Sequence, residues 1–163
     1  MSRIDIRSMT LDDLQIWEKF AHNISDNVVK RLIPDISIFY EGFDSYMDAK
    51  IKQNEAYIAI DEFTEQCAGI IAFSKKNNRI TFFGVSEDFD FESIGSNLID
   101  IALEKLDISS DITVNVLRGD FEPLLKEKRL YERYGFIEYD NTIYEAGVPA
   151  CMMKLPAKSK ICE

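Results

Sequence analysis

A strand, a helix and a second strand in unbroken succession constrain this chain more than anything else in it. Residues 79–85 read as a strand; Ile94, Leu98, Ile101 or Ala102 and Leu106 recur at helical spacing up to about Asp107; and residues 112–117 are β-branched and alternating. Two strands joined through a single helix lie parallel, with a right-handed crossover between them. The chain must therefore build an α/β sheet, and this crossover unit is where such sheets place their ligands.

The flanking segments extend the sheet on both sides. Residues 3–7 alternate polar and apolar as a half-buried strand does, and Thr10-Leu-Asp-Asp13 offers a capping-box start for a helix carrying Leu11, Leu14, Trp17, Phe20 or Ala21 and Ile24. After an irregular stretch with Pro34, residues 44–53 form a short second helix. Residues 56–60, 66–73 and 79–85 make an antiparallel meander, its turns at 61–65 and at Lys75-Lys76-Asn77-Asn78. Downstream, Pro123 sits in the first turn of a helix carrying Leu124, Leu130, Tyr131 and Tyr134, and Gly135 ends it. Residues 136–139 and 150–155 close the chain as two strands around a loop containing Asn141 and Gly147, and residues 156–163 are expected to be a frayed tail. The expected architecture is one α/β domain over residues 1–163, a mixed sheet of about six to seven strands with helices on both faces.

Charge and rare residues narrow the chemistry. Nineteen Lys plus Arg against 29 Asp plus Glu leave a net charge of −10, with no basic stripe, which disfavours nucleic acid and anionic membranes and favours cationic small molecules. His22 is the only histidine, so neither a His-based triad nor a multi-His metal centre is available. The three cysteines (Cys67, Cys151, Cys162) are odd in number and match no zinc or CxxC spacing, which points to a reducing, cytoplasmic setting. No run of 18 apolar residues exists and the first residues lack an apolar core, so neither a membrane span nor a signal peptide is expected. Asp88-x-Asp90-x-Glu92 has the alternating oxygens of a calcium loop, but the sixth position is Ser93 and the twelfth Ile99, so no metal is expected.

Over about residues 3–155 this element order resembles that of the GNAT superfamily of N-acetyltransferases. Residues 4–14 (Ile-Asp-Ile-Arg-Ser-Met-Thr-Leu-Asp-Asp-Leu) are similar to the family's opening strand and helix, Cys67-Ala-Gly-Ile-Ile-Ala to its third strand, and Met152-Met-Lys-Leu155 to its last. Leu130-Tyr-Glu-Arg-Tyr-Gly-Phe136 resembles its LYExxGF signature, which ties a helix, a glycine cap and the following strand together.

The resemblance implies acetyl-CoA as co-substrate, a primary amine of a small cationic metabolite or peptide as acceptor, and direct attack without a covalent intermediate. Backbone N–H groups in the stretch Phe83, Gly84, Val85 would meet the thioester carbonyl. The pyrophosphate would sit on a helix N-terminus, where unpaired N–H groups and the helix dipole favour anions. The family pattern V-x-P-x-x-(Q/R)-x-x-G-x-(G/A) falls on Val85-Ser-Glu87-Asp-Phe-Asp90-Phe-Glu-Ser93-Ile-Gly95, which implies Asp90, Ser93, Ile94, Gly95 and Ser96 as phosphate-side residues. Two positions depart from it: Asp90 stands where Gln or Arg is usual, and Ser93 replaces the first glycine. Four acids (Glu87, Asp88, Asp90, Glu92) thus face the place of a polyanion, or else cap the helix as acids near an N-terminus do.

Tyr131 is implied as the general acid for the leaving thiolate, and Glu87, at the strand end, is the nearest candidate base, because the family's early glutamate on the fourth strand is replaced by Arg79-Ile80-Thr81. Leu124 and Glu127 stand where the family carries Asn and Ala. Arg118, Lys126, Arg129 and Arg133 could offset the acidic turn, and residues 33–46 occupy the place of the family's acceptor lid. The alternative reading is a catalytically inactive family member serving as a binding or regulatory module, favoured by Asp90 and Ser93. A longer acyl-CoA donor is a third reading, and an exposed edge strand near the C-terminus would permit a homodimer.

Overall fold

The computed structural model describes residues 3–28, 42–145 and 147–158. Strand β1 (Ile4–Ser8) leads through a 3-10 turn (Leu11–Asp13) into α1 (Leu14–Val28); α2 (Phe43–Lys52) precedes β2 (Ala56–Asp61), β3 (Cys67–Ser74) and β4 (Arg79–Val85). The crossover helix α3 (Phe91–Lys105) leads to β5 (Ile112–Leu117), and α4 (Glu122–Arg133) to the hairpin of β6 (Ile137–Glu145) and β7 (Val148–Leu155). The seven strands form one mixed sheet in the order β1-β2-β3-β4-β5-β7-β6. β4 and β5 run parallel, as the strand, helix, strand succession requires, and every other neighbouring pair is antiparallel.

A hydrophobic core lies on each face. On one, Trp17, Phe20 and Ala21 of α1 and Met47 of α2 pack on Ala56, Ile58, Ile70 and Ala72. The Trp17 ring meets Phe82 edge-on at 4.8 Å, and its Nε1–H donates to the Phe43 carbonyl at 3.0 Å, so the indole joins α1, α2 and β4. On the other face Ile94, Leu98, Ile99 and Ala102 of α3 and Leu130 and Tyr131 of α4 cover Ile71, Phe73, Ile80, Val114 and Met153. Each fully buried aliphatic side chain of this kind is worth about 1.5–3 kcal/mol.

Three sequence expectations change in detail. Helix α3 begins at Phe91, almost a turn before Ile94, because Asp90 caps it. Asn141 lies inside β6 rather than in a loop: the strand's register slips on either side of Asp140, whose carboxylate accepts from Thr142 N–H at 2.9 Å and so replaces a ladder bond locally. β7 begins at Val148, two residues early. Gly135, at φ 99°, ends α4 as expected. Residues 33–41 of the lid segment and 159–163 of the tail lie outside the described residues.

Candidate active site

The site begins with one surplus residue on β4. Phe73 pairs with Ile80 and Ala72 with Phe82, so Thr81 has no opposite number on β3 and forms a β-bulge. The bulge bends β4 away from its parallel neighbour. β4 and β5 pair only at Arg79↔Thr113 and Ile80↔Val114; beyond them β5 continues to pair with β7 as far as Leu117↔Ala150, while β4 has no β5 partner from Phe82 to Val85. The two strands therefore part in the middle of the sheet and leave a wedge edged by unpaired backbone groups.

Polar atoms without partners lie on both faces of the sheet near this wedge. Among the described residues three buried side-chain atoms make no hydrogen bond: Arg79 Nε, Asn115 Oδ1 and Tyr131 Oη. Arg79 sits one step before the last pair, Ile80↔Val114, Asn115 is the first residue of β5 past that pair, and Tyr131, on the opposite face of the sheet, packs on Phe83 with ring centroids 5.6 Å apart. A buried donor or acceptor without a partner costs about 1–3 kcal/mol, so each of these atoms, on one face of the sheet or the other, is an unmet polar group near the part of the sheet that opens. The Tyr131 ring is fully buried between Phe83 and Phe136. Burial raises its phenol well above the usual tyrosine range, and the neighbouring Glu127 charge adds to the shift. On the other face of the sheet the hydroxyls of Tyr46 (α2) and Thr81 are in hydrogen-bond contact, and burial chiefly pushes the Tyr46 phenol up to about 12.

The N-terminus of α3 stands beside the wedge. Phe91 of its first turn meets Phe83 edge-on at 6.0 Å. Gly95 is buried there, and a Cβ on it would lie 2.7 Å from Leu130 Cδ2 and 3.1 Å from the Phe83 ring, so the missing side chain is what lets α3 and α4 close together. The Asp90 carboxylate accepts the Ser93 N–H at 3.2 Å, and Glu92 pairs with Arg133 of α4 at 2.6 Å. Ile94 is buried in the core, and the Ser96 carbonyl accepts the Tyr134 hydroxyl at 2.9 Å.

A sequence profile of the acetyltransferase (GNAT) domain matches residues 21–157. The chain belongs to the GNAT acetyltransferase family. As a GNAT member it is an acetyl-CoA-dependent N-acetyltransferase, with acetyl-CoA as co-substrate. No curated protein sequence matches it. Among solved structures it resembles a GNAT-family acetyltransferase of Staphylococcus aureus Mu50 (TM-score 0.71, 15% identity, 96% of this chain and 100% of that one). It also resembles the PaiA N-acetyltransferase of Thermoplasma acidophilum, solved in complex with coenzyme A (TM-score 0.71, 15% identity, 93% and 99% covered), and Ard1 from Thermoplasma volcanium (TM-score 0.66, 19% identity, 93% and 95% covered). At these identities the likeness speaks for the GNAT fold.

Within that fold the residues singled out by sequence divide into two groups. Phe83 packs on Tyr131, Gly84 and Val85 follow it along the part of β4 that has no β5 partner, and Asp90, Ser93, Ile94, Gly95 and Ser96 lie on the adjoining helix end. Glu87 does not join Tyr131. It is exposed and, with Lys19, Asn23, Glu65 and Asp88, lines a cavity of about 440 Å³ between α1 and the ends of β3 and β4. The cations that could offset the acidic turn are mostly engaged: Arg118 Nε donates to the Ala150 carbonyl at 2.7 Å, Arg129 pairs with Glu122, and Lys126 lies 4.7 Å over the Phe91 ring; only Arg133 neutralises an acid of the turn. Sequence reasoning passed over Asn115 and Thr81. Asn115 carried a signal, a polar amide inside the apolar run Ile-Thr-Val-Asn-Val-Leu, whereas nothing local marks Thr81 as a bulge.

Proposed function

We propose that this GNAT enzyme binds the thioester end of acetyl-CoA in the wedge between β4 and β5 and transfers its acetyl group to a primary amine of a small cationic metabolite or peptide. The observation that carries the reading is the opening of the sheet past Ile80↔Val114, with Tyr131 packed on Phe83 at one face of it and the unpartnered Arg79 Nε and Asn115 Oδ1 belonging to the other. The residues present fit an acyl-CoA there: free backbone groups on β4 for a polarised carbonyl, an apolar wall of Phe83 and Phe136, and a protonated phenol on Tyr131. They fit its pyrophosphate once the Asp90 carboxylate releases the Ser93 N–H.

Acetyl-CoA supplies the activated acyl group and a thiolate leaving group. Backbone N–H groups of the stretch Phe83, Gly84, Val85 stabilise charge developing on the carbonyl oxygen. Tyr131, uncharged at every physiological pH, holds a proton for the departing sulfur. The net charge of −10 attracts a cationic acceptor, and Glu87 and Asp88 place carboxylates in the α1 cavity where an ammonium could dwell. β6 is the exposed edge expected from the sequence, with Ile137, Tyr139 and Tyr144 outward, and a second copy paired along it would form the homodimer. Sedimentation of the wild type against Tyr139→Lys tests that pairing, and a monomeric wild type removes it.

Titration calorimetry with acetyl-CoA and with CoA at two salt concentrations tests the main reading. Micromolar binding that tightens as salt screens the acidic turn is the expected result. Absence of binding at millimolar ligand would overturn it in favour of a second reading, a catalytically silent binding module, for which the Asp90 carboxylate already sitting on the Ser93 N–H speaks.

A further inference from the structure

The outer hairpin does not continue flat past the end of β5. β5 and β7 pair from Ile112↔Leu155 to Leu117↔Ala150, and β6 and β7 end on Glu145↔Val148. Counting on from those pairs, Glu145 falls level with residue 119, two strands out from β5 and four positions beyond Asn115. In a flat sheet the Cα atoms of Asn115 and Glu145 would stand about 16 Å apart, beyond the reach of both side chains and one hydrogen bond. Yet Asn115 Nδ2 donates to Glu145 Oε2 at 2.8 Å, and Val148 beside it is fully buried. The end of the hairpin therefore curls over the sheet and carries Glu145 back toward β5, to the lip of the wedge.

That bond also fixes the Asn115 amide. An ionised carboxylate only accepts, so the NH2 side faces Glu145 and Oδ1 faces away from it, buried without a partner. Holding the carboxylate here leaves the chain an unmet acceptor that an apolar residue at 115 would avoid. Asn115 is the first β5 residue past the last β4–β5 pair, and the Glu145 charge acts on the phenol of Tyr46, which touches Thr81 on the same face. Glu145 itself is exposed, and its Oε1 makes no described bond. Among the described residues no cation pairs with it: Lys154 lies over the Tyr139 ring and 3.5 Å from Asp111, and Arg118 Nε donates to the Ala150 carbonyl.

We propose that Glu145, held by Asn115, recognises a second cationic group on the acceptor, so that the preferred substrate is a primary amine with another ammonium or guanidinium at its far end. The inference rests on the reading of the wedge as the acyl-transfer site and names the acceptor class for it. Glu145 takes no part in the transfer itself. The reacting nitrogen lies toward Phe83, Gly84 and Val85 while the distal cation meets the carboxylate. Arg79, at the closed end of the wedge on the same face, repels a cation placed there and leaves the hairpin side for it.

Calorimetric titration of the full-length protein, in the presence of CoA, with 1,8-diaminooctane and with octylamine compares two ligands of one chain length that differ by a terminal charge. The wild type should bind the diamine about three- to fivefold more tightly at low salt, with the gap closing at high salt. Thiol release from acetyl-CoA should repeat the gap in the amine KM. Glu145→Gln should bring the diamine down to the monoamine. Asn115→Leu should narrow the gap while raising the midpoint of urea unfolding, because the orphan acceptor is gone; a merely structural role would lower that midpoint. A gap that survives Glu145→Gln overturns the proposal, and so does one lost in Glu87→Gln instead, which would put the cation in the α1 cavity. Equal binding of the two amines by the wild type, or binding of neither, overturns it as well, and where acetyl-CoA still binds only Glu145 loses its role. If acetyl-CoA does not bind, the wedge reading itself fails and an acceptor role for Glu145 fails with it.

Discussion

The carboxylate of Asp90 accepts a hydrogen bond from the backbone N–H of Ser93 at 3.2 Å, so the first turn of α3 is closed by an anion belonging to its own chain. A cofactor phosphate seeking that N–H competes with a tethered carboxylate and is repelled by its charge. Asp90→Asn separates the two effects, because Asn caps helices about as well as Asp. One unit charge removed at roughly 8 Å from each of two phosphate charges is worth about 1 kcal/mol in water. Acetyl-CoA affinity measured by calorimetry should therefore rise about fivefold at low salt and less at high salt, with thermal stability within about 0.5 kcal/mol of wild type. An unchanged affinity would mean that the phosphates do not approach this helix end.

Tyr131→Phe should have opposite effects on turnover and on stability. The hydroxyl is buried without a partner, so its deletion removes a desolvated group and should stabilise the fold by about 1 kcal/mol in denaturant unfolding. If the phenol is the acid for the leaving thiolate, kcat should fall about 100-fold with acetyl-CoA binding intact. A destabilised variant would show that the hydroxyl has a partner in solution, and one with full turnover would take away its chemical role.

Why the fold was readable and the site only partly so follows from what each depends on. The parallel pair β4–β5 could be read because two alternating strands and one amphipathic stripe permit no other local arrangement, and the α4 terminus because Gly135 stands where a left-handed residue is needed. The wedge depends on Thr81 being one residue too many opposite β3, a property of two strands in register that neither sequence alone displays. Asp90 could be recognised as an anomaly against the family pattern, but its capping geometry needed coordinates. The early end predicted for the first hairpin strand at residue 139 failed for a local reason: Asp140 and Thr142 bond each other within β6, and polar residues at a strand irregularity look like a loop.

Helix α2 reaches the site through a buried ion pair. Lys50 Nζ donates to Glu55 Oε1 at 3.0 Å and to the Phe73 carbonyl at 2.8 Å, while Glu55 Oε2 accepts the Lys75 N–H at 2.6 Å. One turn earlier on α2, Tyr46 touches Thr81, so the pair holds that hydroxyl over the bulge. Lys50→Met strands the Glu55 carboxylate and should cost about 3–5 kcal/mol, whereas Lys50→Met with Glu55→Gln should cost clearly less than the sum of the single changes. Urea unfolding of the four proteins of this cycle measures the coupling, and additive losses would show that the two side chains do not interact in solution.

Arg7 and Asp13 give the fold an acid-labile contact at its first turn. Arg7 grips the Asp13 carboxylate through both terminal nitrogens, at 2.7 and 2.9 Å, and the Thr10 N–H donates to it at 2.8 Å. Hydrogen bonds from Arg7, ahead of the opposing effect of burial, hold the carboxyl below its ordinary value. The folded chain therefore binds this proton less readily than the unfolded chain, whose value is about 3.9. Such a group stabilises the fold fully at pH above the unfolded value, and the contribution drains away as pH falls through the folded one. Asp13→Asn should cost about 1–3 kcal/mol at pH 7 and progressively less as pH falls below about 4, so the stability curves of wild type and variant, measured by urea unfolding, should draw together in acid. Curves that stay parallel down to pH 2 would show that the carboxylate gains nothing from Arg7 in the folded state.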